Sequence, residues 1–251
     1  MKDLVSKRGE THIETIRGAM ESKIALLRKA SRGIANGKGR LGILPASFNP
    51  VTSAHLSLIE EADKRGGLDE ILVLLDLAAM DKKPVEARFE DRLKMLEEVF
   101  QKVPKVSIGW STHGLFLDKL KPLREYYPLP VQFFFIVGFD TILRVMDRRY
   151  YARRKESLDE LFRQGRFLVA HRGDLEEQAF ERLFRRRDNR RYKDRVSFFT
   201  LPRRVSFLSS TGVRERVSLG QPIQGWVPAP VHQFIERKRL YRGPERTCKS
   251  I

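Results

Sequence analysis

The stretch that decides the fold is residues 41–56, which read LGILPASFNPVTSAHL. It opens with a short apolar run at 41–44, continues through a polar loop that contains two prolines, and becomes helical from residue 54. This order predicts a strand, a loop and a helix. A unit of this kind, repeated along a chain, builds a parallel sheet covered by helices.

The same alternation continues to the end of the chain. The apolar runs are continuous, which is typical of parallel strands buried on both faces. Further strands are predicted at 70–75, 106–110, 131–137, 167–170 and 196–201, and helices at 54–64, 86–101, 115–126, 157–164, 175–184, 212–219 and 230–239. The sequence therefore predicts an α/β fold with about five core strands, helices on both faces, and ligands at the carboxyl ends of the strands.

The residues before this pattern are predicted to form an extension. Apolar side chains recur every three or four positions over 11–30, which predicts an amphipathic helix, and the glycine-rich stretch 33–39 predicts a linker. We therefore divide the chain into an N-terminal extension (1–40), a main domain (41–242) and a C-terminal tail (243–251).

Composition sets limits on the partners and the compartment. The 251-residue chain has a formal net charge of +17, which points to an anionic partner: a phosphorylated substrate, nucleic acid or an acidic membrane surface. Its single cysteine, Cys248, allows no intramolecular disulfide and no cysteine cluster for zinc. No apolar run is long enough to span a bilayer, and no leader is visible. We therefore expect a cytoplasmic protein that does not associate with a membrane.

The loop at 47–55 carries the first candidate site. A helix that starts directly after a strand offers backbone N–H groups and a positive dipole end to a phosphate, and His55 lies one turn into that helix. The stretch SFNPVTSAH resembles the T/H-x-G-H phosphate signature of the nucleotidyltransferase superfamily. Thr52 and His55 fall on its polar positions, and Ala54 replaces the common glycine. A histidine near a helix start can also be purely structural.

A second motif lies about 150 residues later, at 208–214, and reads LSSTGVR. Taken alone, such a stretch is often only a helix cap. It resembles the ISSTxxR motif with which the same superfamily holds the triphosphate of ATP, in the adenylyltransferase form rather than the cytidylyltransferase form. The resemblance assigns Ser209, Ser210, Thr211 and Arg214 to ATP.

A third motif extends the resemblance to one group within the superfamily. Gly138 and Asp140, after the most apolar predicted strand, resemble the G-x-D segment of nicotinamide and nicotinate mononucleotide adenylyltransferases, and the chain looks most similar to their fungal and plant group. The resemblance implies a Rossmann-like nucleotidyltransferase fold. It also implies ATP contacts at Ser47, Phe48, Gly138 and Asp140, acceptor contacts at Asn49, Arg92 and Trp110, and catalytic roles for His55, Thr52 and Lys82.

The implied reaction is transfer of AMP from ATP to nicotinamide or nicotinate mononucleotide, giving NAD or its deamido form and pyrophosphate. Mg²⁺ is expected to arrive with ATP, with no dedicated metal site on the protein. Two alternatives stay open: transfer to another phosphomonoester, and a non-catalytic nucleotide- or RNA-binding protein of the same fold.

The segment 185–195 is not explained by the resemblance. It reads RRRDNRRYKDR, and seven of its eleven residues are cationic. Such a run is either a solvated surface loop or a patch that binds RNA or another polyanion without sequence preference. We predict that it lies outside the catalytic apparatus.

Overall fold

The computed structural model of the protein describes residues 22–77, 87–171 and 173–243. Seven strands form a single sheet. In chain order they are β1 (Ile24–Arg28), β2 (Arg40–Ala46), β3 (Glu70–Asp76), β4 (Val106–Ser111), β5 (Gln132–Gly138), β6 (Gly165–His171) and β7 (Val196–Thr200). Their order across the sheet is β1-β4-β3-β2-β5-β6-β7, and every neighbouring pair is parallel except β1 with β4.

Helices connect the parallel strands and cover both faces. They are α1 (Ser53–Gly66), α2 (Phe89–Phe100), α3 (Phe116–Tyr126), α4 (Phe139–Val145), α5 (Arg154–Gln164), α6 (Asp174–Arg185), α7 (Arg187–Arg190), α8 (Arg203–Ser206), α9 (Ser210–Ser218) and α10 (Ala229–Lys238). Two 3₁₀ turns, Arg148–Tyr150 and Lys193–Arg195, lie before α5 and β7.

The sheet separates two hydrophobic cores. One lies under α1, α2 and α10, and the other under α3, α4, α5 and α6. All seven residues of the interior strand β3 are buried, because side chains on both of its faces meet a helical layer. The predicted α/β fold with helices on both faces is confirmed, with seven strands rather than about five.

The prediction of a helix over 11–30 is wrong where the structure describes it. Residues 24–28 form the strand β1, which pairs antiparallel with β4 at the edge of the sheet; residues 11–21 lie outside the described part of the chain. Ile24 and Leu27 have helical spacing, but pairing with β4 decides their conformation. The sheet thus includes residues that we assigned to the N-terminal extension.

The predicted linker 33–39 is a connection fixed to the sheet. The N–H of Ile34 donates to the buried carboxylate of Glu70 over 2.8 Å, and the hydroxyl of Tyr127 donates to the same carboxylate over 2.5 Å. Burial, with the adjacent carboxylate, raises the pKa of Tyr127 above its ordinary range. A Cβ on Gly33 would lie 2.3 Å from a Glu70 oxygen, so the close approach of chain to carboxylate requires glycine there.

Candidate active site

The sheet changes direction between β2 and β5. From β2 the chain adds β3 and β4 on one side, whereas β5, β6 and β7 extend the other side. In doubly wound sheets, ligands bind at the carboxyl ends of the strands beside such a switch point. The loop 47–52 follows β2 and Gly138 ends β5, so two of the predicted motifs flank the switch point.

Thr52 and His55 form the start of α1. Thr52 is the residue that caps the helix, and its backbone N–H donates to His55 Nδ1 over 3.0 Å. The Thr52 hydroxyl lies 2.9 Å from the same nitrogen. Because a backbone amide can only donate, Nδ1 accepts, and the neutral ring then carries its proton on Nε2. The reciprocal cap therefore makes Nε2 a hydrogen-bond donor, which suits a phosphate oxygen.

Three residues before Thr52 that are predicted to contact a ligand, Ser47, Phe48 and Asn49, lie inside the protein. Phe48 is fully buried, and its backbone has the left-handed conformation with φ of 43°. The centroid of its ring lies 5.0 Å from that of the His55 ring. Ser47 and Asn49 are also buried. The side chain of Phe48 therefore supports the imidazole of His55 and is not available to a ligand. The left-handed conformation is uncommon for a bulky residue and is concentrated at functional sites.

The late motif lies directly against this loop. Ser210 donates its hydroxyl to the carbonyl of Pro50 over 2.9 Å. Arg214 donates to the carbonyl of Asn49 over 2.8 Å and to the Thr211 hydroxyl over 3.3 Å. The structure thus brings together two segments that are 160 residues apart in sequence.

Ser209 has the structural role that its position also allows. It caps α9, and its hydroxyl accepts from the N–H of Gly212 over 3.0 Å. A cap fixes the direction of the first turn of a helix, where backbone N–H groups can bind phosphate. Ser209 therefore shapes the site, and any contact of its hydroxyl with ATP would compete with the cap.

Two residues that the sequence did not reveal complete the loop. The Tyr241 hydroxyl donates to the side-chain oxygen of Asn49 over 2.7 Å, and the carbonyl of Trp226 accepts from the N–H of Ser53 over 2.9 Å. Asn49, predicted to contact the acceptor, thus has its side-chain carbonyl committed to Tyr241. No local pattern marks Tyr241 or Trp226, because their importance comes only from the packing of the C-terminal segment on the loop.

Gly138 and Asp140 face the switch point from the other side. Gly138 caps α4, and open space surrounds the position where its Cβ would lie. Asp140 is exposed in the first turn of α4. The main chain is therefore accessible at the end of β5, as the prediction of close approach by a nucleotide requires.

Arg92 and Trp110 are buried rather than presented to solvent. Arg92 is 4% exposed and donates to the carbonyls of Ser47 (3.0 Å) and Asp76 (3.4 Å), and burial lowers its pKa. Trp110 lies in β4 and meets Phe89 edge-on, with 6.3 Å between ring centroids. Arg92 links the ends of β2 and β3, and Trp110 packs in the core. Lys82 lies outside the described residues.

A buried ion pair stands beside Trp110, at the ends of β3 and β4. The ammonium of Lys119 is 3.2 Å from the Asp76 carboxylate, and it also donates to the carbonyl of His113. The hydroxyl of Ser111 donates to the same carboxylate. No sequence pattern marks this cluster, because a lysine on a helix and an aspartate at a strand end carry no joint signal.

The described part of the chain offers neither a cluster of metal ligands nor a membrane-spanning helix. Within 22–77, 87–171 and 173–243, no three His, Cys, Asp or Glu side chains are grouped to hold a metal ion. Among the helices in the described part of the chain, none has the length and apolarity to cross a membrane.

Fold and site together define an α/β protein of the doubly wound class, with its candidate site at the switch point of the sheet. The chain belongs to the cytidylyltransferase-like family, whose sequence pattern matches residues 43–216. The predictions of a nucleotidyltransferase fold and of an enzyme of this type are confirmed.

Relatives with assigned names support a finer placement. A provisionally named nicotinate-nucleotide adenylyltransferase of Salinispora arenicola is 31% identical over 204 residues, which is 78% of this chain and 98% of that protein. A provisionally named nicotinamide mononucleotide adenylyltransferase of Schizosaccharomyces pombe is 27% identical and covers 83% and 79% of the two chains.

A solved structure shares the fold. Plasmodium falciparum nicotinic acid mononucleotide adenylyltransferase complexed with NaAD superposes with a TM-score of 0.59 at 19% identity. The match covers 80% of this chain and 97% of that one.

Proposed function

We propose that this protein transfers AMP from ATP to nicotinamide or nicotinate mononucleotide, producing NAD or deamido-NAD and pyrophosphate. The observation that carries the proposal is the direct bonding of the two phosphate motifs, Ser210 to Pro50 and Arg214 to Asn49, at the switch point beside Gly138. The names of the relatives supply the acceptor class.

The reaction needs positioning more than acid–base chemistry. The second pKa of a phosphomonoester is about 6, so the acceptor phosphate is already mostly ionised at neutral pH. One of its oxygens attacks the α-phosphorus of ATP in line. A new phosphorus–oxygen bond forms, the bond from the α-phosphorus to the bridging oxygen breaks, and pyrophosphate leaves with that oxygen.

The chain supplies donors where negative charge grows. His55 Nε2 donates to an oxygen of the α-phosphate, and the capped start of α1 fixes its direction. Arg214, held beside Asn49, lies one turn into α9 and binds the triphosphate. Preorganised donors of this kind cost no rearrangement during the reaction. Magnesium enters with the triphosphate as part of the substrate.

The test is mass-spectrometric detection of dinucleotide from ATP, Mg²⁺ and each mononucleotide in turn, with pyrophosphate measured in parallel. We expect dinucleotide and pyrophosphate in equal amounts. An ATP analogue with a methylene bridge between the α- and β-phosphorus is the control, and it should bind without giving product. If only another phosphomonoester is turned over, the proposed acceptor is wrong. If ATP binds but no pyrophosphate is released, the proposal that the protein is a catalyst is wrong.

A further inference from the structure

The basic segment 185–195 is a fixed part of the fold. Asn189 is 4% exposed, donates to the carbonyl of Leu183 over 3.0 Å, and accepts from Arg154 over 2.6 Å. Arg154 also donates to the carbonyl of Met146 over 2.9 Å. These bonds tie α7 to the start of α5, so the backbone of the segment has a defined shape.

The only aromatic residue of the segment points inward. Tyr192 is 4% exposed, its ring stacks on Phe162 with 4.7 Å between centroids, and its hydroxyl donates to Asp159 over 2.8 Å. Because Asn189 and Tyr192 both face the core, the remaining side chains of the segment are directed outward.

We call this outward-facing set the basic platform. All of its cations are exposed: Arg185, Arg186, Arg187, Arg190, Arg191, Lys193 and Arg195. Arg191 and Lys193 lie near carboxylates, at 3.3 Å from Asp159 and 3.1 Å from Glu181. In the described part of the chain, Arg185, Arg186, Arg187 and Arg190 form no ion pair, so their positive charge is not neutralised there.

A cleft of about 690 Å³ adjoins the basic platform and extends its charge. Four arginines line it, accompanied by Asp147 and Asp188: Arg148, Arg154, Arg182 and Arg186. Arg148 is paired with Asp188 at 2.8 Å. The cleft and the basic platform share Arg186, so they form one continuous positive surface.

The basic platform lies at the opposite end of the parallel strands from the candidate active site, and the cleft extends from it along the helical face to the end of α4 and the start of α5. The loop 47–52 and Gly138 follow strands, whereas the basic platform precedes β7 and lies at the amino ends of the parallel strands. A seven-residue strand such as β6 spans roughly 20 Å at about 3.3 Å per residue. A ligand on the basic platform therefore does not need to contact the reacting phosphates.

The composition of the surface selects among polyanions. Six of the seven platform cations are arginines, whose planar forks match phosphate oxygens. Single-strand binders stack bases on exposed aromatic rings, and membrane binders insert apolar side chains; within 185–195 the one ring is buried and no other side chain is apolar. We propose that the basic platform and its cleft bind the sugar-phosphate backbone of duplex nucleic acid without sequence preference.

The test measures binding of the full-length protein to a fluorescent mixed-sequence RNA duplex of about 20 base pairs by anisotropy over a salt series. The platform variant carries Arg185→Gln, Arg186→Gln, Arg187→Gln and Arg190→Gln. Each lost phosphate contact removes nearly one unit from the slope of log affinity against log salt. We expect the slope to fall by about two to four units and the affinity at low salt to fall at least about tenfold.

A control variant removes the same charge elsewhere. Arg32→Gln, Lys38→Gln, Lys102→Gln and Lys121→Gln change four exposed cations that belong to the β1–β4 half of the molecule. We expect this variant to keep duplex affinity within about twofold, and both variants to keep dinucleotide formation within about twofold, since neither touches the switch point.

Four results would overturn the proposal. They are equal weakening by both variants, no duplex binding by the parent protein at low salt, tighter binding to single-stranded RNA of the same length, and tighter binding to anionic phosphatidylserine vesicles than to duplex. Failure of dinucleotide formation in the parent protein would count only against the proposed reaction, because the binding experiment contains no ATP.

Discussion

The two edges of the sheet use positive charge in opposite ways. At the carboxyl edge, Asn49, Arg214 and Tyr241 come from distant parts of the chain and bond to one another. At the amino edge, the exposed cations of the basic platform all come from one short segment of the chain. Chemistry at a phosphate requires donors held in fixed positions, whereas binding a phosphate backbone requires mainly charge density. Substitutions at the two edges should therefore have different consequences.

The largest effect is expected from His55→Asn. The asparagine oxygen can still accept from the Thr52 N–H, but the side chain lacks the donor at the Nε2 position. Turnover should fall by roughly a hundredfold or more, about 3 kcal/mol of transition-state stabilisation, with a smaller change in ATP affinity. The measurement is kcat and KM for dinucleotide formation, with the thermal midpoint as a check on folding.

The matched control for this substitution is His232→Ala on α10. His232 pairs with Glu236 at 3.3 Å and takes no part in the loop 47–52, so its loss should leave turnover unchanged. If the folded His55→Asn protein turned over as fast as the parent, His55 would have no chemical role and would serve only to cap the helix.

A smaller effect, on stability, is expected from Arg92→Met. The substitution keeps the aliphatic bulk but removes the donor to the carbonyls of Ser47 and Asp76. Leaving a buried carbonyl unpaired costs about 1–3 kcal/mol, so the free energy of unfolding should fall by roughly 2 kcal/mol. Unfolding by denaturant measures this free energy. The control is Arg88→Met, because Arg88 is exposed.

The result also distinguishes two roles for Arg92. A loss of stability with an unchanged KM for the mononucleotide would make it a link between strand ends. Unchanged stability with a raised KM would instead support the acceptor contact that the family resemblance implies.

Arg214→Lys should weaken ATP binding by about tenfold although the charge is kept. An ammonium cannot reproduce a fork that reaches the Asn49 carbonyl and the Thr211 hydroxyl together. Calorimetric titration with the methylene analogue of ATP measures the affinity without turnover. Equal affinity in the two proteins would show that Arg214 serves the loop and not the nucleotide.

The smallest effect is expected at the amino edge, from Tyr192→Phe. Burial, and then the hydrogen bond to Asp159, raises the pKa of Tyr192 to about 12. Above pH 10 the unfolded tyrosine ionises while the folded one does not, so the parent protein loses stability as pH rises from 10 to 12. Phenylalanine has no such proton to lose.

The variant should be less stable than the parent by about 1 kcal/mol at pH 8, and this difference should shrink between pH 10 and 12. Urea unfolding at several pH values measures it. A difference that does not change with pH would contradict the buried position of the hydroxyl, and a change in dinucleotide formation at pH 8 would contradict the separation of the two edges.

Six of the seven strands could be predicted from the sequence, because each is a mostly apolar run; five of them are mostly buried, and β7, the last strand of the sheet, has only Phe199 buried. The strand β3, for example, was predicted at 70–75 and is observed at Glu70–Asp76. The strand β1 could not be predicted in this way. Lying at the sheet edge, it is only partly buried, and its apolar spacing also fits a helix.

The parts of the candidate site that lie in local sequence motifs could be predicted. The parts that depend on contacts between distant segments could not. The motifs with Thr52, His55 and Ser210 were visible because polar residues follow a strand or begin a helix. The burial of Arg92 and the bond from Tyr241 to Asn49 were not visible, since both depend on which distant segments meet. The assignments of ATP and acceptor contacts to these residues stay predictions.

The hydrogen bond from Tyr241 to Asn49 has a consequence for the order in which the protein is made. Synthesis runs from the N-terminus, so the loop 47–52 leaves the ribosome long before Arg214 and Tyr241 exist. The sheet can assemble strand by strand, but the bonds that close the loop 47–52 must wait for Arg214 and then for Tyr241, which lies near the end of the described residues. A nascent chain that has completed β7 thus holds a sheet whose candidate site is unfinished, and the site is completed only after Tyr241 has been added.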